Sequence, residues 1–350
     1  MRSTASIASF LIALALAACD SPATANPDSV APPLDAPVLD SPSARDSWSP
    51  GDARDAAQEA PTPEDLSVPP KDIVSSPDAG SYRSSLAVCW TDATCQRVMA
   101  IAHGGAWDLG QKPYDSDAAI AAAYAIGVDG VKIDVRVTKD DVPVIAHSSP
   151  IEIYESIDCF NKKIEEMTAA QVVKCHRFPS TTETFQRLDD VLSYLRGKMV
   201  TQLCVKRPED YGRTIAEIQA LKAEDFAFIE LGSTSDLQNI IPTLPGSSAV
   251  WYLVNVETNV AEVDTIVGTI KNPRAFMVEF DPSVAVASIT STKLHPANVR
   301  SFTYDSSLTA SVQQIVAYFN GGYDVVSAQT AANAVQARIQ VNQARGISPP

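Results

Sequence analysis

Five residues of this chain are of types that move protons or hold an anion, and each falls in or at the end of a short apolar run: His103, Lys132, Asp134, His147 and Lys206. Two histidines facing one pocket can divide general-base and general-acid work near neutral pH, since an unperturbed imidazole titrates at about 6.5. A phosphodiester suits such a pair. One imidazole takes a proton from the attacking oxygen and the other supplies one to the leaving alkoxide. The transition state gathers negative charge on the non-bridging oxygens and requires a cation beside them. Lys132 and Lys206 are the cations available. Taken singly, each residue has a plainer reading, with Lys132 and Asp134 as an internal ion pair and the histidines as strand ends. Taken together they point to a site.

The elements that must position them are legible as alternation. The stretch GVKIDVRVTKDDVPVIAHSS, Gly130 to Ser149, alternates apolar and polar residues on two arms joined by the polar turn Thr138 to Asp141. That is the period-two signature of a strand hairpin, and it puts Lys132, Asp134 and Arg136 on one face with His147 closing the second arm. Further strand candidates are 98–103, 199–206, 226–231, 249–255, 275–280, 298–304 and 323–328. Helix-like stretches such as 116–127 and 182–197 lie between them. Eight such runs with helical crossovers in about 250 residues fit a (β/α)8 TIM barrel, with the arm after residue 141 as an extra strand. An open doubly wound sheet is the rival, but no glycine-rich phosphate loop follows the first strand. In a barrel, chemistry belongs at the carboxyl ends of strands, where all five residues converge.

The first 85 residues stand apart from this pattern. Arg2 precedes the apolar run IASFLIALALAA, and the run ends in Leu16-Ala-Ala-Cys19. This resembles a bacterial lipobox and implies a signal peptide over 1–18 with lipidation of Cys19; ordinary signal cleavage is the alternative. Residues 19–85 hold half of the chain's 24 prolines, mixed with Ala, Ser and Asp. Such a composition cannot repay the entropy of ordering and reads as a disordered tether, spanning roughly 45 Å as a coil. The expected product is a protein of the bacterial cell envelope, held to a membrane by its acyl chains on the periplasmic or surface side. The folded part is then residues 86–350. The net charge of −15 argues against nucleic acid, because phosphate backbones need clustered Lys and Arg. Of the six cysteines, spacing favours Cys89 with Cys95 and Cys159 with Cys175. Cys204 is left over and is expected to be a small apolar filler.

The segment from Ile101 to Ser149, IAHGGAWDLGQKPYDSDAAIAAAYAIGVDGVKIDVRVTKDDVPVIAHSS, resembles the N-terminal core of the glycerophosphodiester phosphodiesterase family, within the phospholipase C-like barrel group. The spacing fits without a gap from Pro113 to His147, and a looser likeness runs over about 98–335. The resemblance implies that His103 and His147 stand at the family's catalytic histidines and Lys206 at its phosphate-contacting lysine. Asp134 stands at one metal-binding carboxylate. Tyr114, Lys132 and Cys204 replace the other carboxylates, Gly104 replaces the arginine after the first histidine, and Ser148 the aspartate after the second. One carboxylate cannot hold a hard divalent cation that wants several oxygen ligands, so no Ca²⁺ or Mg²⁺ cofactor is expected. Some phosphatidylinositol-specific phospholipases C of this group are metal-independent and use a basic side chain instead. Lys132 is placed to do the same, with Asp134 supporting it. The resemblance therefore implies a metal-independent phosphodiester hydrolase acting on a glycerophosphodiester or phospholipid headgroup. The alternative is an inactive, lipid-anchored module that binds a phosphorylated or polyol headgroup. Trp107 and Tyr114 either wall the pocket or pack their loop; His176 and His295 are read as non-catalytic.

Overall fold

The computed structural model describes residues 89–269 and 274–347, all within one compact unit. The segments read above as a signal peptide and a tether, with Cys19, lie outside the described residues. No helix among the described residues is long and apolar enough to cross a membrane.

Nine strands form one sheet: β1 (Met99–His103), β2 (Gly130–Val137), β3 (Pro143–Ile145), β4 (Val200–Val205), β5 (Ala227–Leu231), β6 (Trp251–Glu257), β7 (Arg274–Phe280), β8 (Arg300–Asp305) and β9 (Val325–Ala328). Eight of them are parallel, and β1 pairs with both β2 and β9, which closes the sheet into a barrel. β3 is antiparallel to β2, as the hairpin pattern requires. The architecture is a (β/α)8 barrel.

Period two decides what fills it. Along β2 the odd positions Val131, Ile133 and Val135 join the large cluster between strands and helices. The even positions Lys132 and Asp134 are buried on the other face. Along β1 the interior positions are Met99, Ile101 and His103. The lower interior is an apolar plug of Met99, Ile101, Val200, Phe228, Leu253, Phe302 and Val325. Trp90 joins this cluster, its ring 5.6 Å from that of Phe228. Each such side chain contributes about 1.5–3 kcal/mol on leaving water. Beneath the plug the Cys89–Cys95 disulfide holds a turn, and the buried Arg300 donates to the carbonyls of Asp92 (2.6 Å) and Cys95 (3.1 Å). The dry lower half is what allows the upper half to be polar.

The principal helices are α1 (Asp117–Ala125), α2 (Leu188–Leu195), α3 (Tyr211–Ala220), α4 (Glu262–Thr269), α5 (Val312–Asn320) and α6 (Ala331–Ala344). α1 starts where Ser116 caps it, its hydroxyl accepting from Ala119 N at 3.1 Å. The helix expected over 182–197 is only α2. Its buried stripe of Leu188, Val191, Leu192 and Leu195 begins at Leu188. Residues 182–187 lack that spacing and are used in bridges to other segments, Thr184 with His176 and Arg187 with Val144. The β5–β6 and β7–β8 crossovers are likewise short helical turns rather than long helices.

Candidate phosphate-binding site

β2 is the strand on which the site is hung. Its carbonyls hold three neighbours in place: Lys132 O accepts from Gly104 N (2.9 Å), Asp134 O from Ala146 N (3.0 Å) and Val135 O from Lys206 N (3.0 Å). These bonds bring the ends of β1, β3 and β4 level with Asp134. His103 is the last residue of β1, Lys206 follows β4, and His147 lies two residues past β3. All five expected residues therefore meet at the barrel mouth.

Asp134 is the hub. Its Oδ1 accepts from Lys132 Nζ at 2.5 Å and lies 2.8 Å from Lys206 Nζ, and its Oδ2 accepts from the Tyr114 hydroxyl at 3.0 Å. The Lys132 ammonium also donates to the Tyr114 oxygen at 3.2 Å. Burial alone would raise the Asp134 carboxyl, but Lys132 and Lys206 outweigh it and hold the group well below the usual carboxylate range. The two lysines respond in opposite directions. Burial pushes both down, yet Asp134 with Asp115 and Glu230 leaves Lys132 raised, whereas Lys206 ends up lowered. One carboxylate cannot fully compensate two ammoniums, and Lys132 takes the larger share of the acidic neighbours. Burial pushes Asp115 well up and Glu230 up as well. A firmly ionised Asp134 thus faces two ammonium groups, with the buried carboxyls of Asp115 and Glu230 acting on Lys132 as well.

The two imidazoles sit on either side of Tyr114, whose ring centroid is 5.6 Å from His103 and 6.0 Å from His147. The Tyr114 hydroxyl lies 3.1 Å from His103 Nδ1. Tyr304 stacks on His103 at 4.3 Å and 18°. On the other side, His147 Nδ1 lies 2.7 Å from the Tyr154 hydroxyl and 3.2 Å from Ser148 Oγ. Glu155 accepts from the backbone N–H groups of both His147 and Ser148 at 2.8 Å, and Arg136 Nε donates to His147 O at 3.0 Å. Burial pushes His103 well down, helped by Lys132, and pushes His147 down to about 3. Both are neutral near pH 7.

Two departures from the resembled pattern turn out to be one. Gly104 has φ +69°, and a Cβ there would stand 2.0 Å from the Tyr114 ring. The aromatic ring fills the space a side chain at 104 would need. Tyr114 is also held from behind, its carbonyl accepting from the buried Arg177 at 3.0 Å while Arg177 donates to Ile145 O at 2.6 Å.

The residues present do not fit a divalent metal. Lys132 and Tyr114 occupy positions where the resemblance would put carboxylates, and Asp134's oxygens are already engaged by two ammoniums and a phenol. No group of three or more His, Cys, Asp or Glu able to hold a metal occurs among the described residues. Cys204 lies buried in β4. The pairs Cys89–Cys95 and Cys159–Cys175 are as expected. His176 is an exposed partner of Asp158, and His295 pairs with Asp324; neither is among the groups that contact the cluster around Asp134. Trp107 does more than pack its loop, donating to His103 O and to Gln329 Oε1, both at 3.1 Å. Sequence reading missed Tyr154, Glu155, Tyr304, Arg177 and Gln329. For Tyr304 and Gln329 a signal existed, since both keep the interior parity of β8 and β9.

A closed parallel barrel with a polar mouth over an apolar plug defines the class of fold, a (β/α)8 TIM barrel. Residues 110–227, about a third of the chain, match the model of the glycerophosphoryl diester phosphodiesterase family. No curated protein matches the chain by sequence. Among solved structures, the glycerophosphodiester phosphodiesterase of Agrobacterium tumefaciens aligns at 15% identity and TM-score 0.55, covering 68% of this chain and 99% of that one. A glycerophosphoryl diester phosphodiesterase from Parabacteroides distasonis aligns at 16% and TM-score 0.59, covering 73% and 91%. A phosphodiesterase of Oleispira antarctica, solved with its product sn-glycerol-3-phosphate, aligns at 16% and TM-score 0.54, covering 71% and 99%. At these identities the likeness is one of fold.

Proposed function

We propose that this chain is a phosphodiester hydrolase acting on a glycerophosphodiester or phospholipid headgroup, by His103 and His147 acid–base catalysis and without a divalent metal. The observation that carries the reading is the pair of lysines on one carboxylate. Lys132 and Lys206 both lie within 2.8 Å of Asp134 Oδ1, between two neutral imidazoles, where a phosphoryl group needs positive charge. In this reading the substrate's phosphate oxygens take up hydrogen bonds from the lysines. One imidazole removes a proton from the attacking oxygen, and the other serves the departing alkoxide. The arriving phosphate anion favours protonation of a histidine that burial otherwise keeps neutral. An ammonium is a weaker electrophile than a metal ion, so slow turnover is expected. The family match over residues 110–227 supports the reaction class, and the product bound to the Oleispira antarctica phosphodiesterase supports glycerol phosphate as one half of the substrate. In the same reading Cys19 carries a lipid and the barrel works at a membrane in the bacterial envelope; the Leu16–Cys19 stretch is what supports this.

The test is turnover of a panel of glycerophosphodiesters and phospholipids by purified protein, with product identified by mass. Release of glycerol phosphate or of a phosphorylated headgroup is expected. Absence of turnover on every member, in protein shown to be folded, would replace this reading with the binding module.

A further inference from the structure

Gln329 lies just past β9, fully buried, with every polar atom of its amide engaged. Trp107 Nε1 donates to Gln329 Oε1 at 3.1 Å. An indole nitrogen is a donor only, so this contact sets which end of the amide is oxygen. The amide nitrogen must then face the other way, and it does: Gln329 Nε2 lies 2.5 Å from the Tyr304 hydroxyl and 3.2 Å from His103 Nδ1. Its two hydrogens suffice for those two acceptors. An N–H directed at Nδ1 requires a lone pair there, so the single proton of the neutral imidazole sits on Nε2. Tyr304, stacked on the ring, helps hold its plane.

We infer that Trp107 and Gln329 are positioning residues that hold His103 in the Nε2–H tautomer, making it a hydrogen-bond donor toward the substrate and leaving His147 as the general base. The other neighbour of Nδ1 competes with Gln329: the Tyr114 hydroxyl donates to Asp134, and its oxygen 3.1 Å from Nδ1 is an acceptor that an Nδ1–H would serve. That form would set the imidazole N–H against the Gln329 N–H at 3.2 Å, a conflict of two donors, and the spectrum decides between the two contacts. Among the described residues, no comparable donor-only residue fixes His147. Its Nδ1 faces two hydroxyls, Tyr154 and Ser148, each able to donate or accept, so its Nε2 is free to present a lone pair. The tautomer is a property of the resting protein; its consequence for turnover rests on the proposed phosphodiesterase reading.

Only four histidines contribute to the spectrum, so long-range ¹⁵N–¹H correlation of the full chain, with His103→Gln for assignment, reads the tautomer directly. The Nε2–H form is expected for His103 in the wild type. Gln329→Glu is nearly isosteric but puts a carboxylate oxygen beside Nδ1, and it is expected to move the proton to Nδ1. Trp107→Phe releases the amide and is expected to give a mixture. An Nδ1–H tautomer in the wild type, or a tautomer unchanged in Gln329→Glu with the other three histidine signals in place, would overturn the inference. In turnover, Gln329→Glu is expected to lower kcat about tenfold or more with little change in KM. The loss is expected to shrink on a 4-nitrophenyl phosphodiester, whose leaving group needs no help from a donor. An equal loss on both substrates would contradict the donor role. An inactive wild type would remove the proposed function while leaving the spectroscopic result to stand or fall alone.

Discussion

Asp134 carries the largest concentration of charge in the barrel, and its neighbours are mutually dependent. Removing one ammonium from a buried ion pair leaves the other charge undercompensated. Lys132→Met is therefore expected to destabilise the fold by less than the roughly 3–5 kcal/mol of a fully broken buried pair, because Lys206 remains on Asp134. Lys132→Met combined with Asp134→Asn should cost less than the sum of the two singles. Urea denaturation of the four proteins measures this, and strict additivity would show that the pair is not coupled. Gly104 and Tyr114 form a second coupled pair. Gly104→Ala places a methyl against the Tyr114 ring at a positive φ, and a loss of more than about 1 kcal/mol is expected. That loss should be largely relieved in a Tyr114→Ala background. At this scale the sequence was informative where strand parity and residue type agreed, as for His103, Lys132, Asp134 and Lys206. Gln329 has the parity, following Val325 and Ser327, but glutamine announces no chemistry by itself. Its role depends on Trp107, more than two hundred residues away.

The segment between β3 and α2 is the element that makes this mouth unlike a bare barrel. It supplies Tyr154, Glu155 and Ser148 around His147, and Arg177 behind Tyr114. It is closed by backbone bonds between Ile151 and Asn161–Lys162 and by the Cys159–Cys175 disulfide. Opening a loop of this length costs about 3 kcal/mol of unfolded-state entropy. The Cys159→Ser, Cys175→Ser variant is expected to lose stability of that order, and more activity than stability because His147 loses its frame. Thermal denaturation beside turnover tests this; a stability loss without a turnover loss would mean the segment does not hold the site. The cysteine spacing made the clasp legible. The start of α2 was not, because the residues before Leu188 are polar and only tertiary bridges decide their conformation.

Over the whole molecule, the alternation of strand and helix made the barrel readable, since eight buried strands must each show a run of period two or continuous apolarity. What alternation does not show is the dry lower plug that lets charge be buried above it. That burial has a pH consequence. His147 is held down to about 3 against an ordinary value of 6.5, so the unfolded chain takes up a proton that the folded chain refuses. The stability it contributes is present above pH 6.5 and is lost as pH falls toward 3. The advantage or deficit of wild type relative to His147→Gln should therefore shift against wild type across that window, measured by denaturation at several pH values. A difference independent of pH would show the imidazole to be less buried than described.

The central claim is that Lys132 and Lys206, gathered on Asp134, supply the charge that a divalent ion would otherwise supply. Turnover of a glycerophosphodiester by the purified protein, measured in EDTA and again with added Ca²⁺ or Mg²⁺ beside His103→Ala, tests it most directly. Activity that persists in EDTA, gains nothing from either ion and vanishes in His103→Ala is the predicted result. Activity that disappears in EDTA and returns with metal would contradict the account.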